Sequence, residues 1–172
     1  SVRSDPIVQV ANKYHLRIVE DAACGFGSLY KGMHVGNVGD TGCFSFHPRK
    51  AITTGEGGMV TTNDEAIATK IRRLRDHGAE MTDLQRHHGA RPYLLADHPD
   101  AGFNQRMTDL QGALGSSQMD RAPDIVEERR AIADRYNKAF QDIPWLNKPF
   151  IGKGFTHGYQ SYPCLFEPEG IK

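Results

Sequence analysis

The sequence lacks an excess of charge of either sign: 21 Lys and Arg balance 21 Asp and Glu. Without a basic field it has little to hold a phosphate backbone or an anionic bilayer, which argues against nucleic-acid and membrane partners. Cysteine is scarce. Cys24, Cys43 and Cys164 are odd in number, far apart and never in C-x-x-C spacing, so neither a disulfide framework nor a zinc knuckle is supported, and a reducing cytoplasm fits best. The eight histidines, His77, His87, His88 and His98 among them, show no H-E-x-x-H or other ligand spacing, and no metal site is expected. There is no apolar run of about 20 residues to span a bilayer. The opening Ser1-Val2-Arg3-Ser4-Asp5-Pro6 has neither the charged nor the apolar region of a signal peptide.

What is present is ordinary for a folded chain: 172 residues, one domain's worth, with 38% hydrophobic residues and 18 glycines. Asp5-Pro6 followed by Ile7, Val8, Val10, Ala11 and Tyr14 predicts a short helix with its cap and a first-turn proline. Leu16 to Glu20 predicts a strand that delivers Asp21 at its C-terminal end. Glycines at 25, 27, 32, 36 and 39 break the next stretch into turns and short irregular pieces, until Gly42 to Phe46 forms a second buried strand. Met59 to Thr62 predicts a third strand, followed by a helix capped by Asn63 or Asp64 with Ile67, Ile71 and Leu74 on one face. Residues 79 to 101 read as a long polar excursion at which specificity can reside. Helical spacing returns at Met107, a further helix opens at Pro123, and Ile143-Pro144-Trp145 stops it. A strand is expected over Tyr159 to Phe166, and the chain stops so soon after it that it reads as part of a longer protein. Strands interleaved with helices point to an α/β architecture.

In open α/β sheets ligands sit beyond the carboxyl ends of the strands, where Asp21 and Lys50 both fall. Taken alone, Asp21 reads equally well as a partly buried site acid, a helix N-cap or a salt-bridge partner, and Lys50 as a solvated surface amine. As a pair they match the needs of pyridoxal phosphate chemistry: a lysine for the Schiff base and an acid for the pyridinium nitrogen. Ser45 adds a hydroxyl suited to a phosphate. The run Gly55-Glu56-Gly57-Gly58 precedes a strand and lacks the Gly-Lys-Ser/Thr ending, so it reads as a tight turn and not as a nucleotide loop. With no nearby histidine partner, Cys24 and Cys43 read as small buried core residues.

Four ordered blocks make the match specific: Val19 to Ala23, Gly39 to Lys50, Thr54 to Gly58, and Gly102 to Gln111. Together they resemble the DegT/DnrJ/EryC1/StrS family of pyridoxal-phosphate-dependent sugar aminotransferases, of aspartate aminotransferase fold type I. The resemblance covers essentially the whole chain, which corresponds to the middle half of a family member. It implies an incomplete large cofactor-binding domain, with a mostly parallel sheet flanked by helices. Residues 1–121 would belong to that domain, and residues 122–172 would form a long helix and the start of the C-terminal small domain.

The resemblance also implies roles for single residues. Lys50 would carry the cofactor and shuttle the proton, Asp21 would keep the ring nitrogen protonated, and Ser45 would bind the phosphate. Asn104 would reach the phosphate of the neighbouring subunit's cofactor, making the site a feature of a homodimer. Cys24 stands beside the cofactor where the family usually has His or Gln, and a thiol is a poor hydrogen-bond donor. A branch of the family that removes a sugar hydroxyl carries His at the lysine position, so Lys50 sides with amino transfer. The implied substrates are a nucleotide-linked keto sugar and an amino-acid donor such as glutamate. A cofactor-binding sensor without turnover, or a non-catalytic module, is the alternative. Because the family's phosphate-binding helix and ring-stacking aromatic lie upstream of Ser1, this piece alone is expected to bind the cofactor poorly.

Overall fold

The computed structural model describes residues 4–81, 83–90, 93 and 95–170. Helix α1 (Ser4–Tyr14) carries Asp5 in its first turn and buries Ala11. Strand β1 (Val19–Asp21) follows after a turn in which His15 takes a left-handed φ of 55°. Asp40 fixes the start of β1, since its carboxylate accepts from the Ile18 N–H at 2.7 Å and from Arg17 at 2.6 Å. Those two donors, the Ile18 amide first, hold the Asp40 carboxyl below its usual range.

The glycine-rich stretch that follows folds into a small hairpin, β2 (Leu29–Tyr30) and β3 (Met33–His34). Its two central residues, Lys31 and Gly32, have φ of 50° and 81°, the left-handed pair that a tight twisted hairpin requires. Lys31 pairs there with Asp5 of α1. Strand β4 (Thr41–Ser45) then lies parallel to β1, with Asp21 level with Cys43. Strand β5 (Gly58–Thr61) returns antiparallel on its other side, giving the order β1-β4-β5. Of the two pairings in this sheet, one is therefore parallel and one antiparallel.

Helix α2 (Glu65–Leu74) is capped by Asp64, whose carboxylate accepts from the Ala66 and Ile67 amides. A short helix α3 (Asp83–His88) falls inside the stretch expected to be an irregular excursion, of which residues 82, 91, 92 and 94 lie outside the described part. Helix α4 (Asp109–Asp120) starts at Thr108 with a reciprocal capping box to Gln111. Helix α5 (Ala122–Ala139) has a proline in its first turn and ends at Phe140, four residues before Pro144. Strands β6 (Leu146–Asn147) and β8 (Leu165–Phe166) pair with each other, while β7 (Phe155–Thr156) adds to β2.

The strand expected over residues 159 to 166 is thus a correction: only Leu165 and Phe166 are extended in a ladder. The Tyr159 and Gln160 carbonyls instead accept from Arg129 of α5, and the Tyr159 N–H donates to His157 Nδ1, which takes these polar groups away from any ladder. The pairing of β7 with β2 also crosses the boundary expected at residue 121. Among the described residues no helix is long and apolar enough to cross a membrane.

The core gathers Phe46, Ile52 and Ala122, with Phe26, Phe44, Met107 and Ile125 packed against them. It sits where the end of β4, the loop after it and the start of α5 meet. The loop that carries Lys50 is therefore rooted in the best-buried part of the molecule.

Candidate active site

The C-terminal ends of β1 and β4 form one rim, because the strands are parallel and in register. Asp21 closes β1. Its Oδ1 accepts from the Ala23 N–H at 3.1 Å, and the Ala22 N–H donates to the Cys43 carbonyl at 2.9 Å. Ala22 is buried, and Gly25 N–H returns to the Ala22 carbonyl, so residues 21–25 make a tight turn over the sheet edge. A Cβ on Gly25 would lie 2.8 Å from Val35, which leaves little room for another residue in this turn. The side chain of Asp21 is exposed, which removes partial burial from the readings open to it.

Lys50 lies at the tip of a closed loop. Phe46 N–H donates to the Gly57 carbonyl at 2.8 Å and Thr54 N–H to the Phe46 carbonyl at 3.0 Å, which ties the loop off at its base. The Lys50 amide donates to the His47 carbonyl at 2.9 Å, and the Arg49 amide to His47 Nδ1 at 3.2 Å. Immediately beyond, Ala51 and Ile52 are buried, the latter 1% exposed, so the chain on the far side of Lys50 is anchored in the core. Its amine reaches back to β1's turn and donates to Cys24 Sγ at 2.9 Å.

Cys24 is therefore an exposed rim residue in contact with the lysine, a correction to its reading as a buried core residue; Cys43 is half-buried. Cys24 is the third residue after Asp21, so this contact brings the acid-bearing turn and the lysine together. Ser45, at the end of β4, accepts from the His47 N–H at 3.4 Å. Asn104 is not among these groups. It forms an isolated bridge with Asp76 beyond α2, and its side-chain oxygen accepts from Arg106 Nε at 3.1 Å, leaving the residue exposed at the surface.

The structure adds a residue to which the sequence reading gave no role. Glu20 points away from Asp21, and its carboxylate accepts from the backbone N–H groups of Gly36, Val38 and Gly39 at 2.6 to 2.9 Å. It closes the glycine loop that leads into β4. Alternation along a strand sends consecutive residues to opposite faces, which separates Glu20 from Asp21 without revealing what Glu20 serves.

The donor set fits pyridoxal phosphate. Lys50 makes no ion pair among the described residues, its amine resting on a soft sulfur, so no carboxylate competes for it. Asp21 supplies an exposed carboxylate on the same rim, with one oxygen oriented by a backbone amide. Ser45 supplies a hydroxyl on the adjacent strand end.

A family model for the DegT/DnrJ/EryC1/StrS aminotransferase family matches residues 2–170. GDP-perosamine synthase of Caulobacter vibrioides is 40% identical over 159 residues, 92% of this chain and 40% of that protein. The solved structure of Helicobacter pylori PseC, an aminotransferase involved in the biosynthesis of pseudoaminic acid, superposes with a TM-score of 0.86 at 30% identity, over 98% of this chain and 43% of that one. A Streptococcus pneumoniae structure in its PLP form superposes with a TM-score of 0.84 at 26% identity, covering 98% of this chain and 45% of that one. The chain spans about two fifths of the length of the curated relatives it matches.

Proposed function

This chain belongs to the DegT/DnrJ/EryC1/StrS aminotransferase family, and from that premise we propose that the protein it forms part of is a pyridoxal-phosphate-dependent aminotransferase. Its amino donor is an amino acid, glutamate in our reading, and its acceptor a nucleotide-linked keto sugar. The catalytic form is a polypeptide of its relatives' length, assembled as a homodimer in which Asn104 serves the neighbouring site. Residues 1–121 belong to the large domain, and 122–172 to the connecting helix and the beginning of the small domain.

The observation that carries this reading is the contact of Lys50 with the turn that bears Asp21. When bound, pyridoxal phosphate supplies an aldehyde for amines and a ring that takes up the electron pair released when the bond from carbon to hydrogen breaks. Lys50 would hold the cofactor, and its free amine would move the proton at the substrate carbon. Asp21 holds a proton at the ring nitrogen by charge and hydrogen bond. Ser45 donates its hydroxyl to the phosphate. Cys24, in contact with the Lys50 amine, would present polarizable sulfur to the cofactor where a histidine or glutamine would present a donor.

The test is covalent capture. The intact polypeptide with added pyridoxal phosphate is expected to show visible absorption that glutamate removes and borohydride fixes on the peptide containing Lys50. Lys50→Ala abolishes both. Absorption that glutamate leaves untouched would favour a sensor, and no capture in the wild type would leave a non-catalytic module.

A further inference from the structure

Lys50 is held by more than its own loop. Gln160, 110 residues away in the chain, donates from Nε2 to the carbonyl of Arg49 at 2.6 Å. That carbonyl belongs to the peptide joining Arg49 to Lys50, so the bond acts one step from the lysine's own backbone.

Gln160 is in turn placed by an unusually well-tied segment. Arg129 Nη1 donates to the Tyr159 carbonyl at 3.0 Å, and Arg130 donates from Nε to the His157 carbonyl and from Nη2 to the Gly27 carbonyl. Gly158 N–H donates to Ser28 Oγ at 2.9 Å. It packs so closely that a Cβ there would lie 2.0 Å from the Phe26 carbonyl oxygen. Tyr159 adopts a left-handed φ of 51°, which a non-glycine residue holds only when its surroundings impose it. Its N–H is taken by His157 Nδ1 at 2.9 Å. None of this is needed for a ladder or a helix. What the bent segment delivers is the Gln160 amide.

We infer that Gln160 is a positioning residue for Lys50: pinned by Arg129, Arg130 and the left-handed Tyr159, its amide fixes the Arg49–Lys50 peptide and thereby the reach of the lysine amine across the rim. The inference rests on the reading of Lys50 as the cofactor-bearing lysine. It makes the segment after β7 part of the machinery of a site to which the same chain otherwise contributes residues 21 to 50.

The experiment compares wild type, Gln160→Leu and Gln160→His in the intact polypeptide. Leucine keeps the bulk and removes the donor; histidine keeps an N–H of similar reach. The first readout is hydrogen exchange of the cofactor-free protein at the Lys50 amide. We expect about tenfold faster exchange in Gln160→Leu, the size an ordinary hydrogen bond commands, and near wild-type exchange in Gln160→His. The second is the rate of pyridoxal phosphate capture on Lys50, trapped by borohydride and read on the peptide, which falls in Gln160→Leu and recovers in Gln160→His. Should Gln160→Leu fail to fold, Gln160→Asn, one methylene short, carries the same expectations. Unchanged exchange or unchanged capture in the donorless variant overturns the role of Gln160 alone. A wild type that captures no cofactor overturns the aminotransferase reading, and this role with it.

Discussion

Glu20 and Asp21 are neighbours with opposite duties. Asp21 faces the rim, whereas Glu20 satisfies three backbone donors of the loop at residues 36–39. Replacing Glu20 by Ala strands those donors, and a loss of about 2 kcal/mol in unfolding free energy is expected, measurable by urea titration. The placement of Asp21 and Ser45 at strand ends, with Lys50 on the loop after β4, was legible in the sequence because each closes or follows a short β-branched or aromatic run. Glu20 was not, since a carboxylate in a motif looks the same whether it serves a ligand or a loop. Nor was the exposure of Cys24, because only the turn at residues 21–25 brings it out to the lysine.

Elements were legible wherever local signals agreed. The cap Asp64 and the proline in the first turn of α5 stand at the starts of α2 and α5, where side chain and backbone ask for the same thing. The start of the strand expected over 159–166 failed because the carbonyls of Tyr159 and Gln160 accept from the distant side chain of Arg129, which no window of sequence reveals. The adjoining His157 carries a pH dependence. Burial holds the His157 pKa below its usual value, and the neutral ring accepts the Tyr159 N–H. As pH falls below about 6.5 the unfolded chain protonates this histidine while the folded one resists, so the stabilisation is complete at higher pH and is lost on acidification. Thermal melting at pH 7.5 and pH 5.5 is expected to show a larger drop for wild type than for His157→Gln.

At the scale of the whole molecule, the sheet and α5 enclose an open cavity of about 1110 Å³, whose walls include Phe26, Phe44, Met59, Met107, Met119 and Val126. Helix α4 beside it buries none of its side chains, and Leu110 is 85% exposed. Patches of this kind are uncommon on a self-sufficient monomer. The 172-residue chain alone is therefore expected to bind an apolar dye such as anilinonaphthalene sulfonate, with fluorescence well above that of the intact polypeptide. The overall class was legible from strands alternating with helices; the cavity was not, because Leu110, Leu114 and Met119 of α4 look the same in sequence whether they have a partner or lack one.

The pairing of β7 with β2 has a consequence for the order of events on the ribosome. Tyr30 meets Phe155, so the edge of the first hairpin stays without its partner while about 125 further residues are made. At elongation rates of about 5 to 20 residues per second, that interval lasts roughly 6 to 25 seconds. Throughout it the nascent hairpin presents an open strand edge of the kind to which other chains add. The strand that closes this edge leads directly into the segment carrying Gln160, so the end of that exposure and the anchoring of the lysine loop belong to the same stage of synthesis.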